Sequence, residues 1–452
     1  MTSSARLSAL DASFLAVETP TAHMHVGWAA TLSAPAQGQL PSFPQLRDHI
    51  ERRLARAPRY RQKLARVPFG LHVPEWVDDP AFSVDRHVYW APGPFDDLAD
   101  EVMSLPLRRD RPLWEIWICE DVERQQIGLV GKAHHCMVDG IAAVELACLL
   151  LDPTPEPPVC SDDWHAAPEP SGERLLARGV RDLAGQQLGL LRGPLRVLTS
   201  PTQTARQAVA GALQVTRALS HSVCAAPASL LNTELSPLRH LVRTQRPLED
   251  LRTVKRAYGT TVNDVMLAAV AGAVRAYLIR QGEQPAALKA MVPVNVRSSG
   301  DMLGNHISFV FAYLPCDEPD PLIRLRRVHE TMSQRKRDGE PEGADLALKA
   351  AALTLPAVQH TLTRLIASPR TFNLVVSNIP GPAEPLYMLG CPLQATYPVV
   401  PLSDRHALSV GMTTVRDLAC FGIYADRETL PQADGLARDI DEAIAELLAR
   451  AR

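Results

Sequence analysis

The sequence lacks the cysteine spacing of a disulfide framework or a zinc site. Its 452 residues include eight cysteines, and none of them belongs to a C-x-x-C pair. They are scattered along the chain, at positions 119, 136, 148, 160, 224, 316, 391 and 420. This pattern favours free thiols in a reducing compartment. The length predicts two hydrophobic cores, because one core rarely grows past about 250–300 residues.

The sequence also lacks an excess of charge of either sign. It has 47 basic and 50 acidic side chains, which gives a formal net charge of −3. A nucleic-acid-binding protein would show a basic patch or a basic domain. That class of protein is therefore not expected.

No continuous apolar run predicts a signal peptide or a membrane-spanning helix. Near the N-terminus, Asp11 and Glu18 interrupt any apolar segment. Residues 385–403 form an uncharged stretch of 19 residues, but it contains four prolines and one glycine. Prolines break a helix, so we predict strands and turns there. Attachment to a membrane surface stays open.

Apolar segments alternate with turn-rich spacers and predict an α/β architecture. Segments rich in Val, Ile, Trp and Tyr predict strands at 24–34, 86–92, 113–122, 126–135, 289–296, 306–315, 372–379, 393–400, 407–415 and 419–425. Apolar residues at helical spacing predict helices at 43–56, 138–151, 262–281, 320–335, 346–366 and 433–450. The helix at 262–281 is apolar almost all round, so it should be buried.

A change of composition divides the chain into three parts. We predict an N-terminal domain at 1–160, a linker and helical connector at 161–245, and a C-terminal domain at 246–452. The connector begins in a Pro- and acid-rich stretch and continues with apolar residues at helical spacing between arginines. Its helices either pack along the two halves or form an amphipathic surface that rests on lipid.

The strongest candidate for chemistry is the string "HHCMVDG" at 134–140, which follows a predicted strand. Neighbouring strand residues point to opposite faces, so His134 and His135 should not share one site or one metal ion. We assign His135 as a general base, because a histidine titrates near the pH of the cytosol. His134 is then a packing or supporting residue. Asp139 is placed to brace the turn into the next helix, and Gly140 permits close approach of another group.

The H-H-x-x-x-D-G string after a strand resembles the signature of the CoA-dependent acyltransferase superfamily. Further segments resemble the wax ester synthase/diacylglycerol acyltransferase family, nearly end to end and in the family's order, and are closest to its bacterial triacylglycerol synthases. These segments are "LSALDASFLAVETPTAHMHVG" (7–27), "PEWVDDPAFSVDRHV" (74–88), "RPLWEIWICEDV" (111–122), "TVNDVMLAAVAGAVRAYL" (261–278), "MVPVNVRSSGDMLGNHIS" (291–308) and "NLVVSNIPGP" (373–382).

The resemblance implies a fold and an activity. The fold would be two chloramphenicol acetyltransferase-like sandwich domains, with mixed sheets flanked by helices and a long helical connector. The activity would be transfer of a long-chain acyl group from acyl-CoA to diacylglycerol or a fatty alcohol. Acyl-CoA would be a co-substrate, and no cofactor, metal or nucleic acid is implied. We expect a cytoplasmic protein, attached peripherally to the inner face of the membrane or to lipid inclusions.

The resemblance also implies roles for particular residues. His135 would deprotonate the acceptor hydroxyl, while Asp139 would be mainly structural with Arg297 as its candidate partner. The remaining candidates either contact substrate or serve the fold. They are Trp114 and Glu115 of the Pro112–Glu115 segment, Asn263 as an oxyanion donor beside Asp264 as a helix-capping acid, and Ser377 with Asn378 ahead of a Pro-Gly turn.

Three alternatives remain at the level of sequence. One is a member of the same superfamily that takes acyl groups from a carrier protein or transfers them to a polyketide or glycolipid. Another is a non-catalytic protein of lipid surfaces. A third is a serine hydrolase, because "ALSVG" at 407–411 approaches the nucleophile-elbow pattern. That pattern needs a strand, a turn and a helix, whereas two strands are predicted here.

Overall fold

The fold is that of a computed structural model, which describes residues 6–121, 123–137, 150–156, 158, 162–182, 225–295, 307–338, 361 and 363–451. In this part of the chain the helices are α1 (Ala9–Val17), α2 (Phe43–Arg53), α3 (Phe95–Ser104), α4 (Leu248–Tyr258), α5 (Val262–Arg280), α6 (Pro321–Arg337) and α7 (Gly435–Ala451). A further helical stretch covers 172–182.

The strands fall into a first and a second group along the chain. The first group is β1 (His25–Ser33), β2 (Gln62–Ala65), β3 (Glu75–Asp78), β4 (Val88–Trp90), β5 (Trp114–Asp121) and β6 (Gln126–His134). The second group is β7 (Arg239–Pro247), β8 (Leu288–Asn295), β9 (Ile307–Leu314), β10 (Leu374–Ile379), β11 (Tyr387–Met388), β12 (Cys391–Val399), β13 (Leu408–Val415) and β14 (Leu418–Asp426).

Two mixed six-stranded sheets organise the described residues. The first sheet has the order β11-β12-β1-β6-β5-β4, and the second has the order β7-β14-β13-β10-β8-β9. Strands β2 and β3 form a separate antiparallel pair. The predicted fold class, mixed sheets flanked by helices in both halves, is thereby confirmed.

The first sheet contains two strands from the second half of the chain, β11 and β12. Strand β12 pairs antiparallel with β1, and Gly27 lies opposite Val399. Pro398 in the same strand also contacts the second sheet at Gly411 and Gly422, which are direct cross-strand partners of each other. We predicted strands in both halves but not this pairing, because β12 lies more than 350 residues from its partner in the sequence.

Helix α5 lies at the centre of the second half, as predicted. Its residues from Asp264 to Ala271 are all buried, in one core with side chains of α7 and β14. By length and composition α5 is the one helix among the described residues that could cross a membrane, but 72% of its apolar window is buried inside the protein. This burial is what a core helix requires.

Several elements were not predicted from the sequence. They are α1, α3, α4, β7 and the β2–β3 hairpin. The predicted helices at 138–151 and 346–366 lie mostly outside the described residues, as does most of the connector. The five cysteines described, at 119, 136, 316, 391 and 420, are free and buried, in line with the prediction of free thiols.

Candidate active site

The two adjacent histidines lie at the end of β6, an inner strand of the first sheet. The His134 N–H donates to the Leu113 carbonyl at 2.9 Å, and the His135 N–H donates to the Met24 carbonyl at 3.0 Å. These bonds fix the backbone of the pair to the residues that immediately precede the strands on either side, β5 and β1. Met24 has a φ of 51°, a left-handed conformation that is strained in a residue other than glycine.

His134 is fully buried. Its Nδ1 accepts a hydrogen bond from the Cys136 N–H at 3.1 Å, and its Nε2 lies 3.8 Å from Glu18 Oε2. Burial, with the charge of Arg109 as the next cause, holds the pKa of His134 well below its usual value. A neutral, enclosed imidazole suits a supporting role rather than proton transfer with a substrate.

His135 has a different environment, since it is only partly buried. Its ring stacks on that of Phe14, with the centroids 3.6 Å apart and an angle of 18° between the planes. Phe14 belongs to α1, whose first turn is capped by Ser8, because the Ser8 hydroxyl accepts from the Asp11 N–H at 3.0 Å. The start of α1 therefore positions a ring that orients His135.

A half-buried ion pair lies beside the histidines. Glu18 caps the C-terminus of α1 and binds Arg109 of the loop between α3 and β5. Burial raises the pKa of the Glu18 carboxyl, and Arg109 opposes that shift. The same guanidinium lowers the pKa of His134. Glu18 and Arg109 thus set the charge around the pair from the side of His134.

The second half of the chain also reaches this region. Arg239 at the start of β7 is buried, donates to Asp426 Oδ2 at 3.0 Å and to the Ser236 carbonyl at 2.7 Å, and also bonds the Thr21 carbonyl. Thr21 lies in the segment between α1 and β1 that ends at Met24. Arg239 therefore links the second sheet to the segment whose Met24 carbonyl accepts a hydrogen bond from His135.

The Pro-Leu-Trp-Glu segment lies in and beside the core. Trp114 is completely buried, its Nε1 donates to the Tyr60 carbonyl at 2.7 Å, and its ring stacks on His87. Glu115 lies 3.3 Å from the ammonium of buried Lys132. These contacts favour packing for Trp114 and pairing with Lys132 for Glu115.

Asp264 forms the predicted capping box at the start of α5. Its carboxylate accepts from the Thr261 N–H at 2.9 Å, and its own N–H donates to the Thr261 hydroxyl at 3.1 Å. The carboxylate also contacts His329 Nδ1 at 2.8 Å. The capping role is confirmed, whereas the oxyanion role of half-buried Asn263 stays a prediction.

Ser377 and Asn378 lie near the end of β10, in register with Gly411 and Met412 of parallel β13. The turn that follows is packed tightly, because a Cβ on Gly381 would lie 1.8 Å from the Thr414 carbonyl. Asp139, Gly140 and Arg297 lie outside the described residues.

The serine of "ALSVG" is not placed as a nucleophile. Ser409 is fully buried in β13, and its hydroxyl donates to the Val400 carbonyl at 2.6 Å. Strand β14 follows it instead of a helix, as predicted. The serine-hydrolase alternative is therefore wrong. Within the described residues, no three His, Cys, Asp or Glu side chains come together as a metal site requires.

Sequence reasoning missed four residues of the site: Phe14, Glu18, Arg109 and Arg239. Phe14 and Glu18 lie in the 7–27 segment that carries the resemblance, so a signal was present. Their partners were not readable, because Arg109 is 91 residues from Glu18 and Arg239 is 218 residues from Thr21.

Comparison with known proteins identifies a family. The model of the wax ester synthase/diacylglycerol acyltransferase catalytic domain matches residues 7–266, and that of the family's C-terminal domain matches residues 303–448. A probable diacylglycerol O-acyltransferase of Mycobacterium tuberculosis is 34% identical over 460 residues, covering 98% of this chain and 96% of the relative.

Solved structures give the same fold. The wax ester synthase/diacylglycerol acyltransferase from Marinobacter aquaeolei VT8 is similar with a TM-score of 0.71 and 28% identity, over 99% of both chains. A starter condensation domain of rhizomide synthetase has a TM-score of 0.60 at 16% identity, over 99% of this chain and 94% of that one, which shows the shared fold alone. The chain belongs to the wax ester synthase/diacylglycerol acyltransferase family.

Proposed function

We propose that the protein transfers a long-chain acyl group from acyl-CoA to the hydroxyl of a lipid alcohol. Diacylglycerol is the leading acceptor, which would give triacylglycerol, and a fatty alcohol would give a wax ester. The names of the relatives support these acceptors. The observation that carries the proposal is the partly buried residue His135 directly after β6, with its ring stacked on Phe14.

In the proposed reaction His135 takes the proton from the acceptor hydroxyl. The alcohol oxygen attacks the thioester carbonyl and forms a tetrahedral oxyanion. Collapse of this intermediate forms the ester and breaks the C–S bond, and the leaving thiolate takes a proton from the imidazolium to give free CoA. Positioned base catalysis of this kind contributes about 10²–10⁴-fold. No acyl-enzyme is needed.

Other residues support this chemistry in the proposal. His134, Glu18 and Arg109 support the end of β6 and determine the electrostatic environment of His135. Asn263 is the proposed donor to the oxyanion. Asp139 and Gly140 remain candidates for the turn after His135, with Arg297 as the partner of Asp139.

We also propose that the protein works at a lipid surface, at the inner face of the membrane or on lipid inclusions. A diacylglycerol has two acyl chains and partitions into lipid, because each buried CH₂ contributes roughly 0.8 kcal/mol. The enzyme would therefore meet its acceptor at an interface, while the soluble acyl-CoA arrives from water.

Release of CoA thiol from long-chain acyl-CoA by the purified protein tests the function. We expect release to depend on an acceptor, within a panel of diacylglycerol, hexadecanol and a short alcohol, with the ester identified by product analysis. Release without an ester product would indicate a thioesterase. Transfer only from a phosphopantetheinylated carrier protein would favour the carrier-dependent alternative. Binding to lipid without turnover would favour the non-catalytic one.

A further inference from the structure

An aromatic side chain lies unprotected at the tip of the β2–β3 hairpin. Phe69 is 88% exposed, more than any other large apolar residue in the described part of the chain. Leu71, two residues on, is 41% exposed. The turn itself is closed by backbone bonds, since the Gly70 N–H donates to the Val67 carbonyl at 3.2 Å. The tip is therefore a built turn whose side chains face solvent.

The backbone of Phe69 is strained as well. Its φ is +60°, followed by +62° at Gly70. Bulky residues rarely adopt left-handed backbone angles. Glycine and asparagine adopt them at a lower conformational energy. The exposed ring offers little internal packing to offset this strain. An exposed aromatic side chain on a strained backbone lowers the stability of the folded chain. This indicates that the Phe69 ring contacts a partner outside the chain.

A helical stretch, residues 172–182, packs beside the hairpin and widens the exposed surface. Leu175 is buried in a small cluster with Ala65 and Val77 of the hairpin strands. On the outer side of this helix Val180 is 52% exposed. The two apolar side chains of the tip are thus accompanied by a third on a neighbouring element.

Basic side chains accompany this apolar surface. Arg66 precedes the tip on the hairpin, and Arg174 and Arg181 lie on the neighbouring helix; all three are exposed. Glu173 is an exposed acid in the same stretch, and the other acid of that stretch, Asp182, pairs with Arg6, so the balance is basic. Apolar side chains among arginines match a surface of anionic lipid, where the ring enters the acyl boundary and the guanidinium groups meet headgroups.

The hairpin is joined to the candidate active site through α1. The Leu7 N–H donates to the Pro74 carbonyl at 3.4 Å, and Arg6 Nε donates to buried Glu75 at 3.3 Å. These contacts hold the residues before α1 on β3. Helix α1 then presents Phe14 to His135.

We propose that the tip of the β2–β3 hairpin, Phe69 with Leu71, inserts into an anionic lipid surface and holds α1, with the His135 site beside it, close to that surface. The proposal rests on the proposed function, since it places the enzyme where a lipid alcohol is dissolved. The basic residues Arg66, Arg174 and Arg181 complement the lipid headgroups.

Co-sedimentation of the full chain with vesicles tests the proposal. The vesicles contain equal amounts of phosphatidylcholine and phosphatidylglycerol, and no substrate is added. We expect Phe69→Asn to weaken vesicle binding about tenfold, because one aromatic contact with the acyl region is lost. The melting temperature should stay the same or rise, since asparagine adopts a left-handed φ readily. A purely structural role for Phe69 would not produce this combination.

Ile279→Asn is the matched control, because Ile279 is 52% exposed in the second half of the chain. It should leave vesicle binding unchanged. Acylation of a short alcohol in solution should persist in Phe69→Asn. The proposal is overturned if the parent does not bind these vesicles or if Phe69→Asn binds them as the parent does. It is also overturned if the variant changes the oligomeric state instead, which would make a second copy the partner. Because binding is measured without turnover, an inactive parent would contradict the function and leave this test intact.

Discussion

Positions 134 and 135 place the same side chain in two environments. His134 is enclosed, with its pKa held well below the usual value, whereas His135 lies half-buried against Phe14. The alternation of side chains along a strand predicts this difference from the sequence. The alternation does not predict which neighbouring residues create each environment. Those neighbours come from α1 and from the loop before β5.

Replacement of each histidine by alanine separates the two roles. We expect His135→Ala to lower kcat/KM by about 10²–10⁴-fold, because the proposed base is removed. His134→Ala should lose much less activity, and its main effect should be on stability, since it empties a buried position. Thiol release and circular dichroism measure the two effects. Equal losses of activity in two folded variants would contradict the assignment.

A residue's role can be predicted from the sequence where its partner lies a few positions away. The capping box of Thr261 and Asp264 needs only a spacing of three residues, and the structure confirms it. The roles of Glu115 and Arg239 were not predictable in this way. Their partners, Lys132 and the Thr21 carbonyl, are set by strand register and by the approach of the two halves.

At the scale of elements, hydrophobic pattern located most strands and the long helices. It failed for short or polar elements such as α4, whose buried residues are only Leu248, Leu251 and Val254. The hydrophobic pattern also did not predict which strands pair with one another. Strand β12 reads like its neighbours in the sequence yet joins the first sheet, because pairing depends on tertiary packing and not on periodicity.

Strands β12 and β14 can approach each other closely because Gly422 has no side chain. A Cβ on Gly422 would lie 2.0 Å from the Pro398 carbonyl, so the backbones must separate in Gly422→Ala. We expect a loss of about 3 kcal/mol in the free energy of unfolding, at the upper end for an overpacked site. Urea denaturation measures this loss.

Gly172→Ala provides the control for that substitution. A Cβ at Gly172 would meet Pro68 at 3.6 Å, an ordinary contact, and the residue begins a helical stretch. Alanine is favoured over glycine in a helix by up to about 1 kcal/mol, so stability should stay equal or rise. If the two variants proved equally stable, the close approach of β12 to β14 would not hold the sheets together as described.

At the scale of the whole molecule, β7 joins the two halves through adjacent residues. Arg239 reaches the segment between α1 and β1, and His240 reaches α3 and the start of α7. The sequence predicted two sheet-containing halves. It did not predict this joint, because the strand is polar and its partners lie 140 residues before and 194 residues after it.

The His240 contact makes stability depend on pH. His240 Nδ1 lies 2.6 Å from Asp100 and Nε2 lies 2.9 Å from Asp434, while Arg427 faces Asp100 at 4.0 Å. The hydrogen bond to Asp100 and then the one to Asp434 raise the pKa of His240 to about 9, against burial, from an ordinary value of 6.5. The protonated form is therefore favoured by folding. Its contribution is complete below pH 6.5 and is lost as the pH rises through about 9.

His240→Gln keeps a hydrogen-bonding side chain but removes the titrating charge. The difference in free energy of unfolding between the parent and this variant should be largest below pH 6.5 and should shrink above pH 9. Urea denaturation across this range measures it, with His165→Gln at an exposed position as the control. A difference that does not change with pH would mean that His240 stabilises the joint without its charge. The ion pairs with Asp100 and Asp434 would then not hold α3 to α7 across β7.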